Sequence, residues 1–243
     1  MTVNPLFEVW VYLSASPLLW LTATLVCYLA AHRVYLSAGS SPLLNPVALA
    51  VGLLIALLVA TDTPYWTYFD GAQFVHFLLG PATVSLAIPI YRSRARLRAL
   101  WLPIAVAVVT GGLAAALSAV AVAALMGADQ ATLISLAPKS VTAPVAMGIA
   151  EQLGGHPSLT AVLVVVTGIL GAVVGGGLFR LLGVRDDAVK GIAMGVTAHG
   201  IGTARAFQVS REMGAFSGLA MALSAFVTAL CLPPVLAWLA LTG

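Results

Sequence analysis

The chain consists largely of long apolar runs, and this feature restricts its fold more than any other. Of its 243 residues, 61% are hydrophobic and only 8% are charged, whereas a soluble domain carries about 25% charged residues. A helix needs about 20 apolar residues to cross a bilayer. We therefore predict an all-α polytopic membrane protein, with one integral membrane domain over 1–243. The predicted full spans are 6–30, 43–60, 72–91, 100–127, 158–182 and 213–240.

Two further apolar segments, 131–150 and 188–206, are interrupted. The first contains Pro138 and Pro144, and a proline inside a helix removes a hydrogen bond and kinks or breaks it. The second contains Gly200 and Gly202, which accept a positive φ, so we expect the helix to break there. Non-helical backbone is tolerated at membrane depth only where protein or a watery cavity surrounds it. The sequence therefore predicts two broken or re-entrant elements in addition to about six full spans.

The distribution of charge predicts an orientation. Arginine and lysine accumulate in cytoplasmic loops, so the basic groups Arg33, 92–98 and 180–190 should all lie on the cytoplasmic side. All three groups lie on the cytoplasmic side only if segment 131–150 enters the membrane and turns back without crossing it. The net charge of +3 thus reports topology, and we predict no nucleic-acid partner.

An internal repeat strengthens this prediction. Val108-Val109-Thr110-Gly111 recurs 57 residues later as Val165-Val166-Thr167-Gly168, and Pro81 maps to Pro138 at the same offset. Opposite directions for the two spans would make this an inverted repeat with a midplane site, as in many carriers. Chance similarity between Gly/Ala/Val-rich spans is the alternative. An elevator-like carrier would use residues 1–70 as scaffold spans and 71–243 as a substrate-binding core.

Lys139 lies between the two prolines, beside the hydroxyls of Ser140 and Thr142. A lysine at the bilayer centre costs roughly 2.5–3.5 kcal/mol, so such residues usually face a functional cavity. Acidic residues lie only at the ends of the apolar runs, which favours an anion as ligand. We expect Thr203 to cap a half-helix and His199 to donate a hydrogen bond or shuttle a proton. The predicted substrate-binding residues are Lys139, Ser140, Thr142, His199, Gly200, Gly202, Thr203, Arg205 and Asn45.

These residues also have simpler interpretations. Lys139 could extend to an interface from a shallow segment, His199 could be a packing histidine, and Asn45 could form a turn and cap before the second span. No Ser/His/Asp set or H-E-x-x-H motif is present, so we predict no enzyme, metal or cofactor.

The interrupted motifs resemble those of the LrgB/CidB membrane-protein family. The resemblance extends from about Ser41 to the C-terminus and is most specific in the two interrupted segments. It is carried by SPLLNPVALA (41–50), PKSVTAPVAMGIA (138–150), GILGAVVG (168–175) and GIAMGVTAHGIGTARAF (191–207).

This resemblance implies an integral protein of the bacterial inner membrane. The family is described as modulating murein hydrolase activity and autolysis, with a holin/antiholin-like partner of the LrgA/CidA type. Relatives include the plastidial glycolate/glycerate transporter and bacterial pyruvate carriers. The implied function is secondary transport of small monocarboxylates of the glycolate, glycerate, lactate or pyruvate class. Separately from the resemblance, we expect the scaffold spans to pair in a homodimer. The alternative is a holin/antiholin-like modulator of murein hydrolase export and autolysis.

Overall fold

The computed structural model describes residues 16–41, 44–85 and 87–239, and these residues form helices without strands. This confirms the all-α prediction for the described part of the chain. The helices belong to two compact units, one ending at Ser85 and the other beginning at residue 86.

The first unit contains four described helices. Trp20 is its most buried large side chain, at 1% exposure, and Thr24 hydrogen-bonds the Tyr68 hydroxyl across two helices. Gly71 permits this packing, because a Cβ there would overlap the Pro17 carbonyl oxygen. The four helices are α1 (Pro17–Ser37), α2 (Pro46–Ala60), α3 (Tyr65–Phe77) and α4 (Leu79–Ser85).

The second unit contains three long helices and two segments that fold back on themselves. Its helices are α5 (Ala87–Arg92), α6 (Arg94–Ala99), α7 (Trp101–Leu125), α8 (Gln130–Leu136), α9 (Ala143–Gln152), α10 (Pro157–Leu181), α11 (Asp187–Val209) and α12 (Arg211–Trp238).

Helix α11 reverses direction at His199, whose backbone is not helical (φ 39°, ψ −131°). If α11 were straight, its 23 residues would hold the two ends about 33 Å apart. Instead, the Ser210 hydroxyl donates a 2.7 Å hydrogen bond to Asp187, and Met194 packs against Ala206. We call residues 187–209 the second hairpin. Each arm of ten to twelve residues spans about 15–18 Å, roughly half of a bilayer core.

Helices α8 and α9 with the turn between them form the first hairpin, residues 130–152. Leu133 of α8 and Ile149 of α9 pack in one apolar cluster. The His156 N–H, just after α9, donates to the Ser135 hydroxyl at 2.7 Å. The segment therefore leaves and returns at the same end of the unit, the end that carries Asp129.

The long helices α7 and α10 run in opposite directions. Near its start α7 packs with Ala188 through Ile104, and near its end it packs with Leu133 through Val120. Helix α10 begins at the first hairpin and ends before the second. The two hairpins consequently approach the interior of the unit from opposite ends.

The order of a long helix followed by a hairpin repeats at the predicted 57-residue offset. Gln130 and Asp187 begin the two hairpins, Gln152 and Val209 end them, and each is preceded by an aspartate whose side chain caps it. The repeat does not extend to the predicted pairing of prolines, because Pro81 lies within α4 whereas Pro138 lies in a turn.

The predicted spans are only partly matched. Four described helices, α1, α7, α10 and α12, are long and apolar enough to cross a membrane. The predicted span 6–30 corresponds to α1, which extends to Ser37, and residues 6–15 lie outside the described residues. The span predicted at 43–60 is the 15-residue α2, about 22 Å long. Within the span predicted at 72–91, α3 ends at Phe77 and α4 begins at Leu79, so the described helix is interrupted there.

Candidate functional site

The tip of the first hairpin carries the predicted lysine. Helix α8 ends at Leu136, residues 137–142 form the turn, and α9 begins at Ala143 with Pro144 in its first turn. The Lys139 side chain is half-buried, and its Nζ donates to the Ser140 hydroxyl oxygen at 3.3 Å. Thr142 occupies the N-cap of α9 without a side-chain capping bond.

The tip of the second hairpin is His199, which corrects our prediction for the glycines. Gly200 and Gly202 were expected to adopt positive φ, but the positive φ belongs to His199. A non-glycine residue in this region costs of order 1–3 kcal/mol and persists only where the surroundings hold it.

Only one of the two glycines is required for packing in the second hairpin. A Cβ on Gly202 would lie 2.6 Å from the Ala198 Cβ and 2.9 Å from the Met194 carbonyl oxygen. Gly202 is therefore required for the close approach of the two arms. Gly200 is exposed, and the nearest atom to a Cβ there would be the Met221 sulfur at 4.0 Å.

The His199 ring is held by helix α10. Its Nε2 lies 2.9 Å from the Val164 carbonyl oxygen, and only a protonated Nε2 can donate to that acceptor. Gly168, one turn further along α10, leaves room for the ring, because a Cβ there would lie 2.6 Å from the His199 Cε1. His199 is 4% exposed, so its ring is a buried packing group that also forms a hydrogen bond.

The tips of the two hairpins meet the same residue of α10. Val141 of the first tip packs against the Val164 side chain, and His199 of the second tip bonds the Val164 carbonyl. The fold thus brings the segments around Lys139 and His199 together, although about 60 residues separate them in sequence.

A small cavity of about 10 Å³ lies beside the two tips. Ser140 and Val141 of the first tip line it together with Val196 of the second hairpin. Its remaining walls include Gly112 of α7 and Ser224 of α12, each near the middle of a long helix. The cavity is therefore central in the second unit.

The other predicted site residues have different partners. Thr203 does not cap a half-helix, since its hydroxyl pairs with the Ser217 hydroxyl at 2.9 Å. Arg205 donates to the side chain of Gln208 at 3.0 Å. Asn45 belongs to the first unit, where its side chain caps α2 by accepting from Val47 and Ala48. The capping interpretation of Asn45 is therefore confirmed.

An ionic network closes the open end of the second hairpin. Arg96 of α6 contacts Asp186 at 2.6 Å and also Glu212. Lys190 pairs with Asp187 at 2.9 Å. Backbone N–H groups and Arg96 hold the pKa of Asp186 below its ordinary value. Of the basic groups predicted to share one side of the membrane, 92–98 and 180–190 accordingly meet at one end of the second unit through Arg96 and its partner Asp186.

Several site residues were missed by the sequence analysis. Ser224 and Ser217 lie seven residues apart on α12, and therefore on one face of that helix. This spacing was the available signal, but serines are common in apolar spans, so the spacing alone does not indicate a site. Arg96 was predicted only as part of a cytoplasmic basic group, because its two acidic partners are distant in sequence.

Comparisons with known proteins agree with the resemblance. A family model described as LrgB-like matches residues 24–238. The chain is 36% identical over 216 residues to the uncharacterized protein YwbG of Bacillus subtilis, covering 88% of this chain and 94% of YwbG. It is 28% identical over 222 residues to the holin-like protein CidB of Staphylococcus epidermidis, covering 91% of this chain and 96% of CidB. No solved structure matches the chain.

Proposed function

This chain belongs to the LrgB-like family, and we propose that it is a secondary carrier of small monocarboxylates in the bacterial inner membrane. The observation that carries the proposal is the contact of two oppositely directed hairpins on Val164, with Lys139 at one tip. Broken helices that meet at mid-depth are the usual way in which carriers form a substrate site.

The chemistry beside the tips supports an anion as substrate. Lys139 supplies an ammonium with three donors and no acceptor, and Ser140 and Thr142 add hydroxyls. Among the described residues, none of those that line the cavity is acidic. A single cation with a few hydroxyls suits one carboxylate better than a dianion. The class we propose is therefore glycolate, glycerate, lactate or pyruvate.

The same fold supports a mechanism of alternating access. In an elevator-like mechanism, residues 71–243 would form the substrate-binding core and move against scaffold spans in residues 1–70, and two scaffolds would pair in a homodimer. An LrgA/CidA-like membrane protein is a further proposed partner. The surrounding bilayer is the remaining partner, because α1, α7, α10 and α12 have the length and apolar character of spans.

Uptake by the purified protein in proteoliposomes tests the proposal. Labelled glycolate, lactate and pyruvate should each be compared with empty liposomes, and at least one should show saturable uptake. Lys139→Ala should abolish this uptake, because the positive charge that binds the carboxylate is lost. Insertion into the membrane should be retained, because removing a cation from the membrane interior lowers the free energy of insertion. Lys139→Arg should also impair uptake, because a planar guanidinium does not replace a compact ammonium.

Arg98→Ala is the matched control, since it removes an exposed cation from α6 far from the hairpin tips. Its uptake should equal that of the wild type. Wild-type rates in Lys139→Ala would exclude the assigned role of the lysine.

A holin-like role is the second candidate, and the names of the relatives favour it. CidB of Staphylococcus epidermidis and CidB of Staphylococcus aureus are both named holin-like proteins. Such a role predicts that the protein releases a trapped dye such as calcein from liposomes, with or without Lys139. A carrier instead retains the dye and loses substrate uptake with the Lys139→Ala substitution.

A further inference from the structure

The hydroxyl of Ser224 lacks a hydrogen-bond partner, although this residue is only 2% exposed. In the part of the chain that the structure describes, it is the one buried side-chain oxygen or nitrogen in this condition. A serine within a helix commonly bonds the carbonyl four residues before it, and Thr110 and Thr197 do so here. The Ser224 hydroxyl instead forms no hydrogen bond, and a buried hydroxyl without a partner destabilises the structure unless a ligand supplies one.

The surroundings of Ser224 indicate what that partner is. Ser224 lines the small central cavity, and Pro138 and Ser140 of the first hairpin tip line it as well. The Ser140 oxygen accepts a hydrogen bond from Lys139, so the Ser140 proton remains available to a second acceptor. Three hydroxyl-bearing residues therefore line the cavity, Ser140, Ser224 and Thr228, and the Lys139 ammonium contacts the first of them. Hydroxyl groups that can donate, next to a cation, suit an anionic oxygen.

We propose that Ser224 is a substrate-binding residue whose hydroxyl donates a hydrogen bond to an oxygen of the carboxylate held by Lys139 and Ser140. This inference rests on the proposed function and adds a residue from α12 to a site otherwise formed by the hairpin tips. Ser224 is neutral, so it contributes affinity and selection among carboxylates, whereas Lys139 supplies the charge.

The volume of the cavity adds a requirement for movement. A cavity of about 10 Å³ accommodates about one water-sized group, which is less than a carboxylate with its carbon skeleton occupies. Ser224 lies within the long helix α12, whereas Ser140 lies in a turn. The turn is therefore the wall that moves when the substrate enters, and Ser224 is the fixed wall against which the substrate is held.

The test compares Ser224→Ala with wild type in uptake and in thermal stability. For whichever of glycolate, lactate and pyruvate is transported, KM should rise about tenfold or more, as expected for loss of a hydrogen bond to a charged group. Without substrate, the melting temperature of the variant in detergent should equal or exceed that of wild type, because an unsatisfied polar group is removed. The stabilisation produced by the substrate should decrease.

Ser118→Ala is the matched control, because Ser118 lies on α7, is exposed and bonds its own helix. Its KM and substrate-induced stabilisation should equal those of wild type. An unchanged KM and stabilisation in Ser224→Ala would overturn the inference, and so would a lower melting temperature with an unchanged KM, which indicates a packing role.

The two proposals can fail separately. If wild type transports a carboxylate and Ser224→Ala does so with the same KM, the proposed carrier function is supported and the inference about Ser224 is wrong. If a carboxylate stabilises wild type without being transported, and Ser224→Ala loses this stabilisation, Ser224 binds the carboxylate and the proposed carrier function is wrong. Wild type that neither transports nor is stabilised by the three carboxylates contradicts both.

Discussion

The Ser210 hydroxyl donates a 2.7 Å hydrogen bond to Asp187, although the two positions are 23 residues apart in sequence. The same hydroxyl accepts from the Met213 N–H at 3.0 Å. Ser210 therefore joins the start of the second hairpin, its end and the first turn of α12. This contact requires the chain to reverse between the two residues, and the reversal is at His199.

The first prediction concerns pH. The hydrogen bonds from Ser210 and Lys190 hold the pKa of Asp187 below its ordinary value of 3.8. A carboxylate with a lowered folded-state pKa stabilises the fold above its unfolded pKa, and this contribution is lost as pH falls through the folded pKa. Wild type should therefore lose more thermal stability between pH 6 and about pH 3 than Asp187→Asn does, measured in detergent.

Ser210→Ala should also weaken this dependence on acid, since it removes the largest cause of the pKa shift. Glu151→Gln is the control, because that exposed carboxylate lies at the far end of the unit. Equal acid sensitivity in wild type and Asp187→Asn would contradict the assigned role of the hydrogen bond.

The second prediction separates close packing from backbone conformation at the two glycines. Gly202→Ala should destabilise the protein by about 1–3 kcal/mol, the typical cost of overpacking, because its Cβ meets the Met194 carbonyl and Ala198. Gly200→Ala should be neutral or stabilise by up to about 1 kcal/mol, because its site is helical and open. Thermal unfolding of both variants measures the difference. Equal destabilisation would show that the arms do not approach each other as closely as described.

The third prediction concerns topology. Single cysteines at Met126 and Gln152 should react with a membrane-impermeant maleimide from one side, and those at Arg185 and Gln208 from the other. In each pair, one position precedes a hairpin and the other lies at its end, and a hairpin returns the chain to the side from which it came. Cys27 and Cys231 are replaced by serine in this experiment. Labelling of the members of either pair from opposite sides would mean that its segment crosses the membrane completely.

The sequence alone predicted the class of fold and the positions of the interruptions. Apolar runs longer than a bilayer is thick allow few structures other than helices, and Pro138 and Pro144 forbid a continuous helix between them. These are local constraints, and the 57-residue repeat between α7 and α10 extended them to the order of elements. The predicted span over 72–91 contains the break between α3 and α4, because apolar character determines where a segment can be buried but not whether its helix is unbroken.

Tertiary structure decided which residue of each interruption carries the special geometry. The glycines at 200 and 202 permit a reversal at several positions, and the packing of Gly202 against Met194 together with the bond from His199 to Val164 selects His199. It also decided that Ser224 faces the tip of the first hairpin, since a helical period gives the face of a residue but not what packs there. Contacts between segments distant in sequence depend on the joint packing of all the helices, and no local pattern contains that information.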